Sequence, residues 1–401
     1  MAQVTAIGPG GTTRECFGVA LRLGLTSFGG PVAHIGYFQR CYVEQRQWLS
    51  AADFSGLVAL CQVVPGPASS QLGFLIGYRR AGWGGALAAW AGFTLPSALA
   101  MTAIAIGLGR YTGPSAVRDS LEHAFTLVAV AVVAQAVVTM ARSLCPDWPR
   151  AMIAIAAMTL VLGLGGPWAA LLAVVCGALA GVVAGRCALP APAPTAPRAG
   201  KPGLAALLVL PVVALAALGW RGHGIIALAA IFARTGALVF GGGHVVLPLL
   251  RDALVPGQWI SDSTFLAGYG VVQAMPGPLF TFAAYLGAAC APAGGGWGLA
   301  ALYALVATIA IFLPGLLLAI GAQSVWQWLG HHVRAQTALA GINAAVVGVL
   351  AAALINPVAR SALLGLHDCV IAAIGLILLL RWHLPPIVVV GLTLLASVIW
   401  R

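Results

Sequence analysis

Residues 47–67 read QWLSAADFSGLVALCQVVPGP, and residues 258–278 read QWISDSTFLAGYGVVQAMPGP. At a constant offset of 211, Gln47, Trp48, Ser50, Phe54, Gln62, Pro65, Gly66 and Pro67 meet identical partners. The likeness runs outward in both directions. Upstream, Arg22 and Phe28-Gly29-Gly30 match Arg234 and Phe240-Gly241-Gly242. Downstream, the Gly-Trp-Gly at 82–84 matches 296–298, and Phe93-Thr94-Leu95-Pro96 resembles Ile311-Phe312-Leu313-Pro314. Chance apolar similarity would not keep Gln, Trp and Pro-Gly-Pro in register. The chain is an internal duplication.

The duplicated material is apolar. Of the 401 residues, 61% are hydrophobic and 7% are charged, against about 45–50% and about 25% in soluble domains. The mean hydropathy is +0.99. Such a chain cannot clothe a soluble surface, and disorder needs low hydrophobicity. Long continuous apolar runs, and not short alternating ones, exclude a transmembrane barrel. The fold class is an all-α polytopic membrane protein built from two homologous repeats. A span takes about 20 residues, so the sequence predicts about 10 to 13 transmembrane helices and no soluble domain. The first repeat covers 1–187 and the second 223–401. Between them, 188–222 holds a Pro/Ala-rich linker (PAPAPTAPRAGKP at 190–202) and a connecting helix, Leu204–Trp220. Pro/Ala alternation suits an extended connector. One extra span between two even-numbered halves inverts the second half, as in many secondary transporters.

Both repeats carry the same two breaks. Pro67 and Pro278 lack an N–H, and Pro65 and Pro276 disfavour helix just before them. Gly66 and Gly277 reach backbone angles closed to other residues. The apolar stretches on either side are too short to span singly, so a broken helix within the membrane is expected. The helix after each break presents free amides at Ala68, Ser69 and Ser70, or at Leu279, Phe280 and Thr281. A helix start favours an anion, and hydroxyls of Ser69, Ser70 and Thr281 add donors. A structural kink packed by neighbours is the plainer alternative. Gln62 and Gln273 stand three residues before each triplet; a buried amide there either pairs with freed backbone or contacts substrate. The second break is Phe28-Gly29-Gly30-Pro31, matched by Phe240-Gly241-Gly242-Gly243. Paired glycines permit unwinding or close helix approach. His34 and His244 follow, either as packing residues or as proton carriers.

Arg22 and Arg234 lie six residues before the Phe-Gly-Gly breaks, inside apolar runs. A charge there is costly. Arg22 can snorkel; Arg234 is deeper. Either they anchor their helices, or a guanidinium reaches a central cavity and grips a dianion bidentately. The net charge of +11, from 20 basic against nine acidic residues, fits basic cytoplasmic loops or attraction of an anion. The basic residues are too sparse for nucleic acid. Glu122 and His123 are expected in the first turn of a span, and Asp368 well inside another. No carboxylate is repeated between the halves. Eight cysteines are scattered without a CxxC pair, so neither a metal site nor a disulfide framework is expected. There is no P-loop, no hydrolase motif and no cofactor signature, so no enzyme activity is expected.

The motifs FGGPVAHI at 28–35, Q-x-x-PGP at 62–67 and 273–278, and FGGGHVVLPLL at 240–250 resemble the chromate ion transporter family in its long, two-domain form. The resemblance covers essentially the whole chain. It implies export of chromate, a tetrahedral dianion, from a bacterial cytoplasm across the inner membrane, driven by the proton-motive force. It also implies two homologous halves in opposed orientation. Sulfate is the rival substrate and an anion channel the rival class. Protons as coupling ion and a homodimer stay open. The second half departs from the first where Gly243 replaces Pro31, so the two breaks are not equivalent.

Overall fold

The structure, a computed structural model, describes residues 10–109, 115–165, 169–185, 224–239, 246–292, 294–382, 384 and 386–399. Among the described residues every regular element is helical and there is no strand. The first repeat supplies α1 (Thr13–Thr26), α2 (Gly30–Phe38), a π-type turn (Gln39–Gln45), α3 (Ala51–Val63), α4 (Ala68–Gly109), α5 (Ser115–Leu144), α6 (Trp148–Leu164) and α7 (Ala169–Ala184). The second supplies α8 (Ile225–Leu238), α9 (Val246–Leu254), α10 (Asp262–Gln273), a 3-10 turn (Leu279–Thr281), α11 (Phe282–Ala289), α12 (Gly296–His331), α13 (Val333–Ala353), α14 (Leu366–Arg381) and α15 (Pro386–Ile399). The linker and Leu204–Trp220 lie outside the described residues, as do Phe240, Gly241, Gly242 and His244.

Matched sequence gives matched local structure. Ser50 caps α3 by accepting from the Asp53 amide at 3.1 Å, and Ser261 caps α10 by accepting from Thr264 at 3.2 Å. An N-cap hydroxyl satisfies one of the orphan amides at a helix start. Just before each cap, Gln47 and Gln258 take the left-handed conformation, with φ of 52° and 56°. That turn lets the Trp48 amide reach back to the Tyr42 carbonyl and the Trp259 amide to Leu254. Within each repeat the first helix packs on a later one through glycine. A Cβ on Gly24 would stand 2.7 Å from the Phe93 carbonyl, and one on Gly236 would collide with the Ile311 carbonyl. Phe93 and Ile311 occupy corresponding positions of the FTLP and IFLP runs.

The repeats are also packed into each other. α13 lies on α6 and α7, α10, α14 and α15 on α5, and α11 and α12 on α4. Small residues permit the closest of these approaches: Gly177 and Gly181 face Gly341, and Gly348 faces the Ala154 carbonyl. Such seams are how helices associate in lipid, where burial of apolar surface gives no drive.

Among the described residues, four helical stretches are long and apolar enough to cross a membrane alone: Ala68–Gly109, His123–Leu144, Gly296–Gln323 and Val333–Ala362. Their outer faces, and those of shorter helices, leave large apolar side chains such as Leu99, Leu302 and Ile374 exposed, which suits lipid and not water. This is a multi-pass membrane protein. The sequence estimate of 10 to 13 spans counted apolar runs, and many of those runs are shorter helices, among them Ala51–Val63, Ile225–Leu238 and Leu279–Ala289. The longest, α4, is itself two helices joined at Ala81 and Gly82, whose backbone leaves helical geometry. Two polar positions, Asp368 and His123, also differ from expectation. Asp368 sits in the first turn of α14, not deep in a span: its carboxylate accepts from the Leu364 and Gly365 amides and meets His123 Nε2 at 2.9 Å. His123 is more than two turns into α5, because that helix begins at Ser115, in polar sequence ahead of the apolar run.

Candidate functional site

Each Pro-Gly-Pro triplet separates two helical pieces. α3 ends at Val63 and α4 begins at Ala68; α10 ends at Gln273 and the next turn begins at Leu279. Gly66 has φ 127° and Gly277 φ 92°, a region that L residues enter only with strain. The Phe-Gly-Gly break of the first repeat lies between α1 and α2, with φ of 97° at Gly29 and 77° at Gly30.

The breaks of one repeat are satisfied by the other. Gly66 N–H donates to the Val239 carbonyl at 2.7 Å, and Gly277 N–H donates to the Ser27 carbonyl at 2.9 Å. Val239 and Ser27 each immediately precede a Phe-Gly-Gly motif. The packing is reciprocal too. A Cβ on Gly66 would stand 2.8 Å from Gly315 Cα, and one on Gly277 would stand 2.9 Å from Ser97 Oγ. Gly315 and Ser97 each follow the proline of corresponding runs. Residue i touching j′ while i′ touches j is the mark of a two-fold relation.

A cleft opens at one of these junctions. It is lined by Gly29 and Gly30 from the first repeat, by Val272, Gln273, Met275, Gly277 and Leu279 from the second, and by Val132 and Gln135 of α5. Its volume is about 40 Å³, room for about three waters at roughly 10–15 Å³ each. Gln273 is buried, and its Nε2 has no hydrogen-bond partner among the described residues. The fully buried Tyr269 lies beside the same side chain. α2 starts at Gly30 and the 3-10 turn at Leu279, so two helix starts, with unpaired first amides, border this cleft. Among the described residues no charged side chain lines it. Neutral donors and partial positive charge at helix starts suit a small oxyanion.

Residues 14–182 and, again, residues 226–398 match the chromate transporter family. The chain belongs to that family. It is 30% identical to the chromate transport protein of Pseudomonas aeruginosa over 370 residues, covering 88% of this chain and 83% of the relative. It is 28% identical to the chromate transport protein of Cupriavidus metallidurans over 395 residues, covering 96% and 93%. No solved structure matches it.

Other residues singled out in this chromate transporter family member lie elsewhere. Arg22 is exposed on α1 and Arg234 half-buried on α8; neither lines the cleft, and neither makes an ion pair or side-chain hydrogen bond among the described residues. Arg22 instead lies near Cys41 of the π-type turn. His34 is buried beside the Ser27 backbone, edge-on to Phe93 at 5.4 Å between ring centroids. The Thr281 hydroxyl donates to its own Pro278 carbonyl at 2.8 Å. Ser69 and Ser70 are buried in the first turn of α4. Gln62, the counterpart of Gln273, is exposed.

Four residues escaped the sequence reading. Gln135 is one polar residue in the apolar run 127–138 of α5, and only packing brings it to the cleft. Tyr269 looks like core. Ser97 follows a proline with no polar signal around it. Gln71 is fully buried, and its Nε2 donates to the Pro65 carbonyl at 2.8 Å and to the Gly315 carbonyl at 2.9 Å. A buried glutamine in an apolar run was the signal that could have found it.

Proposed function

We propose that this chain is a secondary active transporter that exports chromate across the bacterial inner membrane, driven by the proton-motive force. The observation that carries the reading is Gln273. Its side chain lines a cleft made from breaks of both repeats and its buried amide nitrogen is unpaired among the described residues, in a chain whose near-full-length relatives are named for chromate transport. Gly29, Gly30, Gly277, Leu279 and Gln135 complete the polar and backbone lining. Neutral donors hold an oxyanion without trapping it, since carriage needs a site weak enough to release its cargo. Arg22 and Arg234 attract the anion from a distance. Residues 1–187 and 223–401 act as two repeats of opposed orientation joined by 188–222.

Sulfate offers the same tetrahedral set of oxygens to the same donors, so substrate and direction are tested together. Labelled chromate and labelled sulfate are offered to right-side-out and inverted vesicles containing the protein. Uptake of chromate by inverted vesicles, dependent on an imposed proton gradient, is the expected result. Sulfate uptake alone, or uptake only by right-side-out vesicles, rejects chromate export.

A further inference from the structure

We infer that the two Pro-Gly-Pro breaks have parted in role: the second binds the transported anion through the Gln273 side chain, and the first is a pivot locked by Gln71. The inference rests on the transport reading above and deepens it. Duplication began with the same residues at both breaks, and three matched positions now differ in kind or in placement. At the offset of 211, Val58 corresponds to Tyr269, Gln62 to Gln273 and Gln71 to Phe282.

At the second break these residues build a donor. Phe282 is buried and packs edge-on to Tyr269, with ring centroids 5.7 Å apart. Tyr269 in turn lies beside Gln273, one turn further along α10. The ring pair backs the Gln273 side chain, which lines the cleft and whose buried Nε2 has no hydrogen-bond partner among the described residues. A buried donor left unpaired destabilises the fold, and a ligand oxygen is the group that relieves it. At the first break the same ancestry gives the opposite result. Val58 offers no ring to back an amide, and Gln62 is exposed. Gln71 bridges the Pro65 and Gly315 carbonyls, and Gly66 N–H is held by Val239. A Cβ on Gly66 would stand 2.6 Å from Gln71 Nε2, so the turn is filled as well as bonded. The Gln71 bridge joins the first repeat to α12 of the second. Tyr269 is a positioning residue for Gln273, and Gln71 a positioning residue for the pivot.

Equilibrium binding of labelled chromate to the purified full-length protein in nanodiscs tests this, paired with amide hydrogen exchange over residues 64–72. We expect Gln273→Leu to weaken binding at least tenfold. Gln273→Asn, which keeps the amide but withdraws it by one methylene, should weaken it several-fold and guards against a folding defect in the leucine variant. Tyr269→Phe should weaken it less than Gln273→Leu does. Gln62→Leu should leave the affinity within twofold. Gln71→Leu should speed exchange over 64–72 at least tenfold and leave affinity within threefold. Equal weakening by Gln62→Leu and Gln273→Leu overturns the inference, as does unchanged affinity in Gln273→Asn or unchanged exchange in Gln71→Leu. A wild-type protein that binds neither chromate nor sulfate sinks the transport reading instead.

Discussion

The amide of Gly66 is bonded to the carbonyl of Val239 across the two repeats, at 2.7 Å, and the matched pair Gly277 and Ser27 repeats the bond at 2.9 Å. In lipid an unpaired backbone amide costs several kcal/mol. A helix broken within an apolar run therefore needs a partner, and each repeat finds it at the C-terminal end of the other's first helix. Neither half satisfies the glycine amide of its own break. The arrangement makes the interface between repeats the place where backbone is irregular, which is where a transporter tolerates it.

Gly66→Ala should abolish chromate transport, and Gly277→Ala should nearly do so. Each forces a β-carbon into a positive φ, which costs about 1–3 kcal/mol. At Gly66 the new methyl also meets the Gly315 backbone at 2.8 Å, which cannot swing aside. At Gly277 the nearest atom is the Ser97 hydroxyl at 2.9 Å. Combining Gly277→Ala with Ser97→Ala should recover part of the transport. Membrane abundance and vesicle uptake measured together check this; normal uptake by both single variants would reduce the triplets to packing kinks.

Trp48→Ala should destabilise the protein by about 3–5 kcal/mol, while Glu15→Gln should cost less than about 1 kcal/mol. Trp48 is buried and takes the Arg46 and Arg80 guanidinium groups over its ring at 5.6 and 5.1 Å. The carboxylate of Glu15 pairs with the same two arginines at 3.6 and 3.4 Å, but the partners are partly exposed. Solvent screens the ion pairs and not the packing. Thermal unfolding in detergent separates the two variants.

The duplication was legible because polar and turn residues survive in register through apolar sequence. Gln47 and Gln258, Ser50 and Ser261, and the glycines of the two Pro-Gly-Pro triplets carry matching conformations. Helix ends were less legible, because hydropathy does not see a helix stop: α4 runs through its kink at Gly82 while α10 stops at Gln273. The cleft was half legible. Gly29, Gly30, Gln273 and Gly277 come from motifs, but Gln135 and Tyr269 reach their places through helix packing that no local pattern encodes. Gln62 and Gln273 are the clearest lesson. They are identical in sequence register, yet one is exposed and the other buried, because their surroundings and not their identity decide.

Arg234→Lys should keep most of the chromate transport, and Arg234→Gln should lower it about tenfold at low ionic strength. Neither arginine lines the cleft, so the expected contribution is long-range attraction, which charge alone supplies. Arg22, at the matched position of the first repeat, should follow the same order with smaller losses. Raising salt should shrink the Gln defect, because exposed charges are screened beyond about 10 Å at 0.1 M. A Lys variant as impaired as the Gln variant would return the guanidinium fork to the binding site.

Opposed orientation of the repeats can be read from two matched surface positions. The reciprocal bonds require a two-fold relation, but a two-fold axis along the membrane normal leaves both repeats facing the same way, and one in the membrane plane inverts them. Ala52 and Ser263 decide between the two, because they correspond at the offset of 211 and both are exposed in the first turns of α3 and α10. Ser263 also hydrogen-bonds the Ser261 hydroxyl at 3.1 Å, but the cap bonds themselves come from the Asp53 and Thr264 amides, which neither substitution removes. Ala52→Cys and Ser263→Cys are placed singly in a protein whose eight native cysteines are replaced. A membrane-impermeant maleimide is then applied to intact cells and to inverted vesicles. Inversion predicts that one cysteine is labelled only from outside and the other only from the cytoplasmic side. Labelling of both from the same side means the axis lies along the normal, and the two breaks then face the same compartment.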